Sequence, residues 1–276
     1  MKGYAQRSLP QLLSHFQRGE GTPRIWLHGV FGNGLNLYNL SKKIPGRHVF
    51  LDARNHGKSF KHSDTSYRAM SEDILRVMDH LNIEKASLVG HSMGGKTSIA
   101  FACLFPDRVN EIVALDIAPI DYSIYQYDYV IENLYRLSYL SSLKLQGKKR
   151  DQIVQDLMAT FRDKKVVELF NMNLDEKDQG EWSWKIGLKE LKRGYKAIAG
   201  FDSSLGPFEG KALAILAGNS YHTVKSHALA NGTQLYDLFQ PYLPNVEYCI
   251  VSETSHWLHV EKPNEVSKRI KDFLTN

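Results

Sequence analysis

The stretch Lys85-Ala86-Ser87-Leu88-Val89-Gly90-His91-Ser92-Met93-Gly94-Gly95-Lys96-Thr97-Ser98-Ile99-Ala100 constrains this chain more than any other. It reads as a short buried strand, a sharp turn and a helix rich in small residues. The turn, Gly90-His91-Ser92-Met93-Gly94, has the form G-x-S-x-G, which lifts a serine hydroxyl above the edge of a sheet. A turn that tight brings the strand and helix backbones so close that side chains flanking the serine would collide. Gly95 and Ala100 then let the helix sit close to the sheet. A bare match of this kind is common by chance. The apolar strand before it and the helix after it are what mark Ser92 as a nucleophile rather than a helix cap.

The rest of the chain repeats the strand-then-helix theme. Apolar runs rich in β-branched residues occur at Arg24 to His28, His48 to Asp52, Ala86 to Val89, Glu111 to Leu115, Ala212 to Leu216 and Val246 to Val251. Helical patterns fall between them, near 35–43, 66–81, 93–104, 226–241 and 262–274. Met70, Ile74, Val77, Met78 and Leu81 keep the spacing of an amphipathic helix. Pro106 closes the helix after the serine. Such alternation predicts an α/β fold with a mostly parallel central sheet flanked by helices.

The alternation stops near Asp121 and resumes near Lys211. The stretch between is helical in pattern and rich in tyrosine (Tyr122, Tyr125, Tyr127, Tyr129, Tyr135, Tyr139), with Trp182 and Trp184 further on. It reads as a helical cap over 121–200, inserted between two strands of a core formed by 1–120 and 201–276. Ligands of open α/β sheets bind at the carboxyl ends of the strands, where such a cap would lie. A cap lined by aromatics would give a mostly apolar pocket with a few polar handles.

Bulk properties narrow the function. With 276 residues, 42% hydrophobic and 24% charged, the chain is an ordinary globular protein. A formal charge of +5, without clusters, permits an acidic substrate or a phosphate-bearing carrier but does not argue for nucleic acid, and no nucleic-acid partner is expected. No apolar run approaches the roughly 18 residues of a membrane span. Met1 to Pro10 lacks the apolar centre of a secretory signal, though Lys2 and Arg7 without an acid resemble a transit peptide weakly. Cys103 and Cys249 read as buried free thiols in a reducing compartment. The expected location is therefore the cytoplasm, with the mitochondrial matrix as the alternative. Oligomeric state is not legible.

A nucleophilic serine needs a base, an acid to orient the base, and donors for the oxyanion. The last apolar run is followed by Ser252-Glu253-Thr254-Ser255-His256-Trp257-Leu258-His259. His256, in a loop just past the last strand, is the expected base, and His259 has a supporting role. The side chain of His91 is expected to leave the turn in another direction than Ser92, and His28 to be a structural hydrogen-bonder. The loop Gly218-Asn219-Ser220-Tyr221-His222 holds no carboxylate, whereas Asp116 ends the strand beside that of the serine. Asp116 is the expected acid, with Asp202 and Glu209 as alternatives. His28-Gly29-Val30-Phe31-Gly32 follows the first apolar strand and supplies the oxyanion loop. Its donors would be the backbone N–H groups of Met93 and Val30, with Phe31 as the neighbouring candidate. Asp52-Ala53-Arg54-Asn55-His56-Gly57-Lys58-Ser59 reads as a structural loop in which Arg54 pairs locally, the alternative being a substrate contact. No cofactor and no metal set is expected.

Taken together these residues resemble the α/β-hydrolase superfamily. They are similar in particular to a small esterase subfamily that includes bacterial acyl-CoA and ester hydrolases, a mitochondrial α/β-hydrolase-domain esterase and fungal ethanol acetyltransferases. The resemblance rests on His28 to Gly32, Asp52 to Ser59, Gly90 to Lys96, Asp116-Ile117-Ala118-Pro119, Gly218-Asn219-Ser220 and His256 to Pro263. It implies the α/β-hydrolase fold, and it takes the acid from the position of Asp116. Ser255 departs from it, since the subfamily has glycine before the histidine. The resemblance implies a serine esterase acting on short to medium acyl esters or thioesters through an acyl-enzyme, without cofactor. Alcohol acyltransfer and acyl-CoA thioester hydrolysis are the alternatives on the same intermediate. A dehalogenase would need an aspartate in place of Ser92, and a binding module would not need all three triad members.

Overall fold

All six apolar runs lie side by side in one sheet, where burial on both faces accommodates the continuous hydrophobicity of the inner strands. In this computed structural model, which describes residues 11–124, 128–226, 229 and 232–275, the strands are β1 (His15–Arg18), β2 (Pro23–Leu27), β3 (Arg47–Leu51), β4 (Ala86–His91), β5 (Val109–Leu115), β6 (Leu174–Glu176), β7 (Trp182–Trp184), β8 (Lys211–Ala217) and β9 (Val246–Val251). The helices are α1 (Tyr38–Ser41), α2 (Tyr67–His80), α3 (Met93–Leu104), α4 (Asp128–Ser142), α5 (Arg150–Phe161), α6 (Lys164–Asn171), α7 (Leu188–Ala199), α8 (Leu258–Glu261) and α9 (Pro263–Thr275). Seven strands form the main sheet in the order β1-β3-β2-β4-β5-β8-β9. Only the edge strand β1 runs antiparallel to its neighbour.

Alternation along each strand sends successive side chains to opposite layers. Ile25 and Leu27, Leu88, Ile112 and Ala114, and Ala212, Ala214 and Leu216 face one layer, with Ile74, Val77 and Met78 of α2 and Ile99 and Phe101 of α3. Trp26, Val89, Val113, Leu115, Leu213 and Ile215 face the other, with Val266 and Ile270 of α9. Each fully buried valine, leucine, isoleucine, phenylalanine or methionine among them contributes about 1.5–3 kcal/mol. Ser66 caps α2 by accepting from the Ala69 amide at 3.3 Å, and the face carrying Met70, Ile74, Val77 and Met78 is the buried one.

Between β5 and β8 the chain leaves the sheet and forms α4 to α7 together with the two-stranded β6–β7 ladder. Leu137, Leu140, Ile153, Leu157, Phe170 and Leu191 make a core there that is continuous with Phe31, Tyr67 and Met93. This segment therefore packs over the loop after β2 and the start of α3, at the carboxyl end of the sheet.

Two expectations fail. The helix expected at 226–241 does not run its full length: Leu229 is helical, but from 232 onward the chain is a run of turns with one 3-10 turn at Tyr236–Leu238. Leu238, Phe239 and Leu243 are buried at helix-like spacing. Gly232, at φ 91°, and Pro241 break the backbone into separate turns. The two cysteines are free but only half-buried. Cys249 lies on β9, an edge strand whose outer face is open.

Candidate active site

Ser92 stands between β4 and α3 with φ 52° and ψ −119°, a conformation that costs a non-glycine residue about 1–3 kcal/mol. Close backbone approach holds it there. A Cβ on Gly90 would lie 2.2 Å from the Gly94 carbonyl oxygen, and one on Gly94 would lie 2.1 Å from that of Leu27. Only glycine fits either position. The Ser92 amide donates to the Leu115 carbonyl at 3.1 Å, tying the turn to the end of β5.

That end of β5 carries Asp116, fully buried and at φ 46°. Its Oδ1 accepts from the Ala217 amide (3.0 Å) and the Thr223 hydroxyl (2.7 Å). Its Oδ2 lies 2.7 Å from Nδ1 of His256. Burial raises the carboxyl pKa, but hydrogen bonding and charge from His256, with His222 and Ser220, outweigh it and hold Asp116 below its ordinary range. With the carboxylate ionised, Nδ1 of His256 is the donor and Nε2 carries the free lone pair. Ser255 fastens the loop bearing His256. Its amide and hydroxyl donate to the two oxygens of Glu261, both at 2.7 Å, and Glu261 also pairs with Lys165 of α6. Of the other acids considered, Asp202 caps Ser204 (2.9 and 2.6 Å) and approaches Arg68 at 3.7 Å, and Glu209 is exposed.

The loop after β2 is braced by two buried histidines. His28 donates from Nδ1 to the Gly29 carbonyl (2.7 Å) and accepts at Nε2 from the Ala53 amide (3.0 Å). His56 donates from Nδ1 to the Arg54 carbonyl (2.9 Å) and accepts at Nε2 from the Phe31 amide (3.1 Å). Burial pushes the pKa of His28 down and that of His56 well down, so both rings are neutral and each Nε2 is an acceptor. Arg54 pairs with buried Asp73 at 2.6 Å and donates to the carbonyls of Asp64 (2.8 Å) and Ala69 (2.9 Å). In α3, Lys96 is buried. Its ammonium donates to the carbonyls of Ala199 (2.9 Å) and Gly200 (2.6 Å) at the end of α7 and lies 4.7 Å from the Tyr122 ring centre.

Ser92, Met93, Val30, Phe31 and His256 line one cavity of about 180 Å³. The segment between β5 and β8 supplies much of the rest, including Tyr129, Arg136, Val166, Leu169, Tyr195 and Ile198, and Tyr67, Lys96 and His222 also line it. Tyr125 and Tyr127 lie outside the described residues. The profile of the alpha/beta hydrolase fold family matches residues 25–263. The chain belongs to that family. This α/β hydrolase is 30% identical over 261 residues to the sn-1-specific diacylglycerol lipase ABHD11 of Mus musculus, covering 91% of this chain and 80% of the relative. It is 28% identical to the esterase YbfF of Escherichia coli, covering 92% and 94%. A solved marine microorganism esterase superposes with a TM-score of 0.86 at 26% identity, covering 96% of this chain and all of that one. Family and relatives make the chain an enzyme of the esterase and lipase kind.

In this α/β hydrolase the surroundings of His256 depart from expectation. His91 is part of these surroundings: its Nε2 donates to the His256 carbonyl at 2.9 Å, and the two ring centres are 4.6 Å apart. The alternation of β4 explains this, since Val89, two residues earlier, shares its layer with Val251 of β9. The His259 ring lies 4.2 Å from that of His91, tilted by 52°, with burial lowering its pKa to about 3. His222 was not foreseen at the site. Its ring lies 3.7 Å from that of His256 at an interplanar angle of 11°. The available signal was a ring-bearing residue a few positions beyond a strand that pairs with β9. Asp116, His222 and His256 bring ligand-type atoms within 4.8 Å of one another. Two parallel imidazoles cannot aim their in-plane lone pairs at one ion about 2.0–2.1 Å from each, and Asp116 is engaged by hydrogen bonds. The trio is a hydrogen-bonded and stacked cluster rather than a metal centre.

Proposed function

We propose that the protein is a carboxylic ester hydrolase working through a covalent acyl-enzyme on Ser92. The observation that carries this is the 2.7 Å contact between His256 Nδ1 and buried Asp116, in a cavity that also exposes Ser92. His256 Nε2 takes the Ser92 proton as Oγ attacks the ester carbonyl, and Asp116 stabilises the imidazolium. The imidazolium returns the proton to the departing alkoxide, and the alcohol leaves. Water then attacks the acyl-enzyme by the same proton route, releasing the acid and restoring Ser92. The oxyanion is held by the backbone N–H groups of Met93, at the amide-rich start of α3, and Val30. Phe31, the neighbouring candidate, has its amide committed to His56 and is left out of this role.

In this reading the 121–200 segment is a cap, and it sets the acyl preference. An apolar cavity of about 150 Å³ takes a benzene-sized guest, so about 180 Å³ suits short to medium acyl groups. No helix among the described residues is long and apolar enough to cross a membrane. The two free thiols accord with a reducing compartment, cytoplasm or mitochondrial matrix.

The test is labelling by a fluorophosphonate probe together with turnover of a panel of p-nitrophenyl esters and acyl-CoAs, with and without ethanol. Wild-type enzyme should label and turn over esters. Ser92→Ala should lose labelling and fall to the residual of about 10³–10⁴ over water that binding and oxyanion contacts retain. Ser92→Ala with more than about a tenth of wild-type turnover sinks the assignment. Ethyl ester as the main product in ethanol would make the enzyme an alcohol acyltransferase, and a preference for acyl-CoA a thioesterase.

A further inference from the structure

Three aromatic rings run from the proposed cap to the proposed base. Tyr129 of α4 meets His222 with ring centres 3.9 Å apart at 34°, and His222 meets His256 at 3.7 Å and 11°. Two rings this near one centroid cannot share a face, so Tyr129 and His256 cover opposite faces of His222. The backbone of His222 is pinned as well. Its amide donates to the Ser220 hydroxyl (3.1 Å), and its carbonyl accepts from the Tyr122 hydroxyl (2.7 Å). That same Tyr122 oxygen accepts the Ala118 amide (2.9 Å), two residues past Asp116.

We propose that His222 is a positioning residue for ester hydrolysis: sandwiched between Tyr129 and His256, it fixes the plane of the base imidazole and passes the placement of the cap to it. The inference rests on the triad reading above. Asp116 fixes the direction of the His256 Nδ1 bond but leaves the ring free to turn about it. A ring stacked over a whole face removes that freedom. Such a stack contributes only about 0.5–1.5 kcal/mol, yet a misplaced catalytic group can cost about 10²-fold in rate. The imidazolium formed during turnover is attracted to the face of a neutral ring. Burial, and then the charge of His256, keep His222 neutral by holding its pKa well below the usual value.

The experiment measures kcat and KM for His222→Leu, His222→Phe, Tyr129→Leu and the His222→Leu/Tyr129→Leu double variant. Active sites are counted by fluorophosphonate titration, so that misfolded enzyme does not enter kcat. His222→Leu should lower kcat per titrated site about 10- to 100-fold with KM changed by less than about threefold. His222→Phe keeps a stacking face and should recover most of that loss. Tyr129→Leu should slow the wild-type enzyme but add little once His222 is gone, since both act through one stack. A purely structural role would lower the number of titratable sites and leave kcat per site alone. The proposal is overturned if His222→Leu keeps more than about a third of kcat per site, if phenylalanine is no better than leucine, or if the Tyr129 and His222 losses simply multiply. Labelling of Ser92→Ala in the same assay would instead overturn the triad reading itself.

Discussion

Asp116 accepts hydrogen bonds from the Ala217 amide, the Thr223 hydroxyl and His256 Nδ1 at once, so its replacement separates chemistry from folding. Asp116→Asn keeps the size and two of the three contacts. It changes the third, because an amide nitrogen facing Nδ1 would turn that atom into an acceptor and put the proton on Nε2. A base protonated at Nε2 cannot take the serine proton. Turnover should fall by about 10⁴, while the altered buried contacts cost about 1–3 kcal/mol of stability. Urea unfolding and active-site titration check the two effects separately. A folded Asp116→Asn enzyme with near-normal turnover would remove Asp116 from the triad. Asp116 was legible because it closes a buried apolar run beside the serine strand. His222 was not, because the direction in which a loop returns over its neighbours is set by contacts such as Tyr122 with Ala118, which sequence order does not reveal.

At the level of elements, Arg54 ties the loop after β3 to α2 through Asp73 and two carbonyls. Arg54→Met would strand Asp73, which is almost fully buried, with Arg76 as its remaining partner. Breaking a buried pair from one side costs about 3–5 kcal/mol, so the urea midpoint should drop sharply while kcat per titrated site holds. Lost turnover at unchanged stability would make Arg54 a substrate contact instead. The inner parallel strands were legible because they are apolar on both faces, and the edge strand β9 because Val246 and Val251 bracket a short β-branched and aromatic run. The other edge strand and the short strands were not: β1 is half-exposed along its length, and β6 and β7 are three residues each. The far half of the helix expected at 226–241 shows the converse error, in which helical spacing of buried residues from 232 onward was satisfied by consecutive turns.

Across the whole molecule, buried neutral histidines tie stability to pH. The pKa values of His28, His48, His56, His91, His222 and His259 are all lowered, with burial the leading cause; His48 falls to about 4 and His259 to about 3. In three of them one ring nitrogen accepts a hydrogen bond: His28 from Ala53, His56 from Phe31 and His48 from the Trp26 indole at 2.9 Å. Protonation would set donor against donor there. An unfolded chain takes up these protons near pH 6.5, whereas the folded chain does so only well below it. The unfolded state therefore binds more protons between those limits, and stability falls as pH drops from about 6.5. Each group fully inside its window removes about 1.4 kcal/mol per pH unit, against a total of about 5–15 kcal/mol for a typical domain. Asp116 acts in the same direction but lower, its contribution lost as pH falls from about 3.8 through its depressed folded value. Urea midpoints measured from pH 7.5 to 5 should accordingly decline ever more steeply below 6.5 with little change in m. His48 lies outside the cavity, so His48→Gln isolates one member: its curve should be shallower than wild type by about one proton's slope between pH 6 and 5. A stability that stays flat from pH 7.5 to 5 would mean that these rings are charged in the fold, and the hydrogen bonds that His28, His48 and His56 accept from Ala53, the Trp26 indole and Phe31 could not exist as assigned.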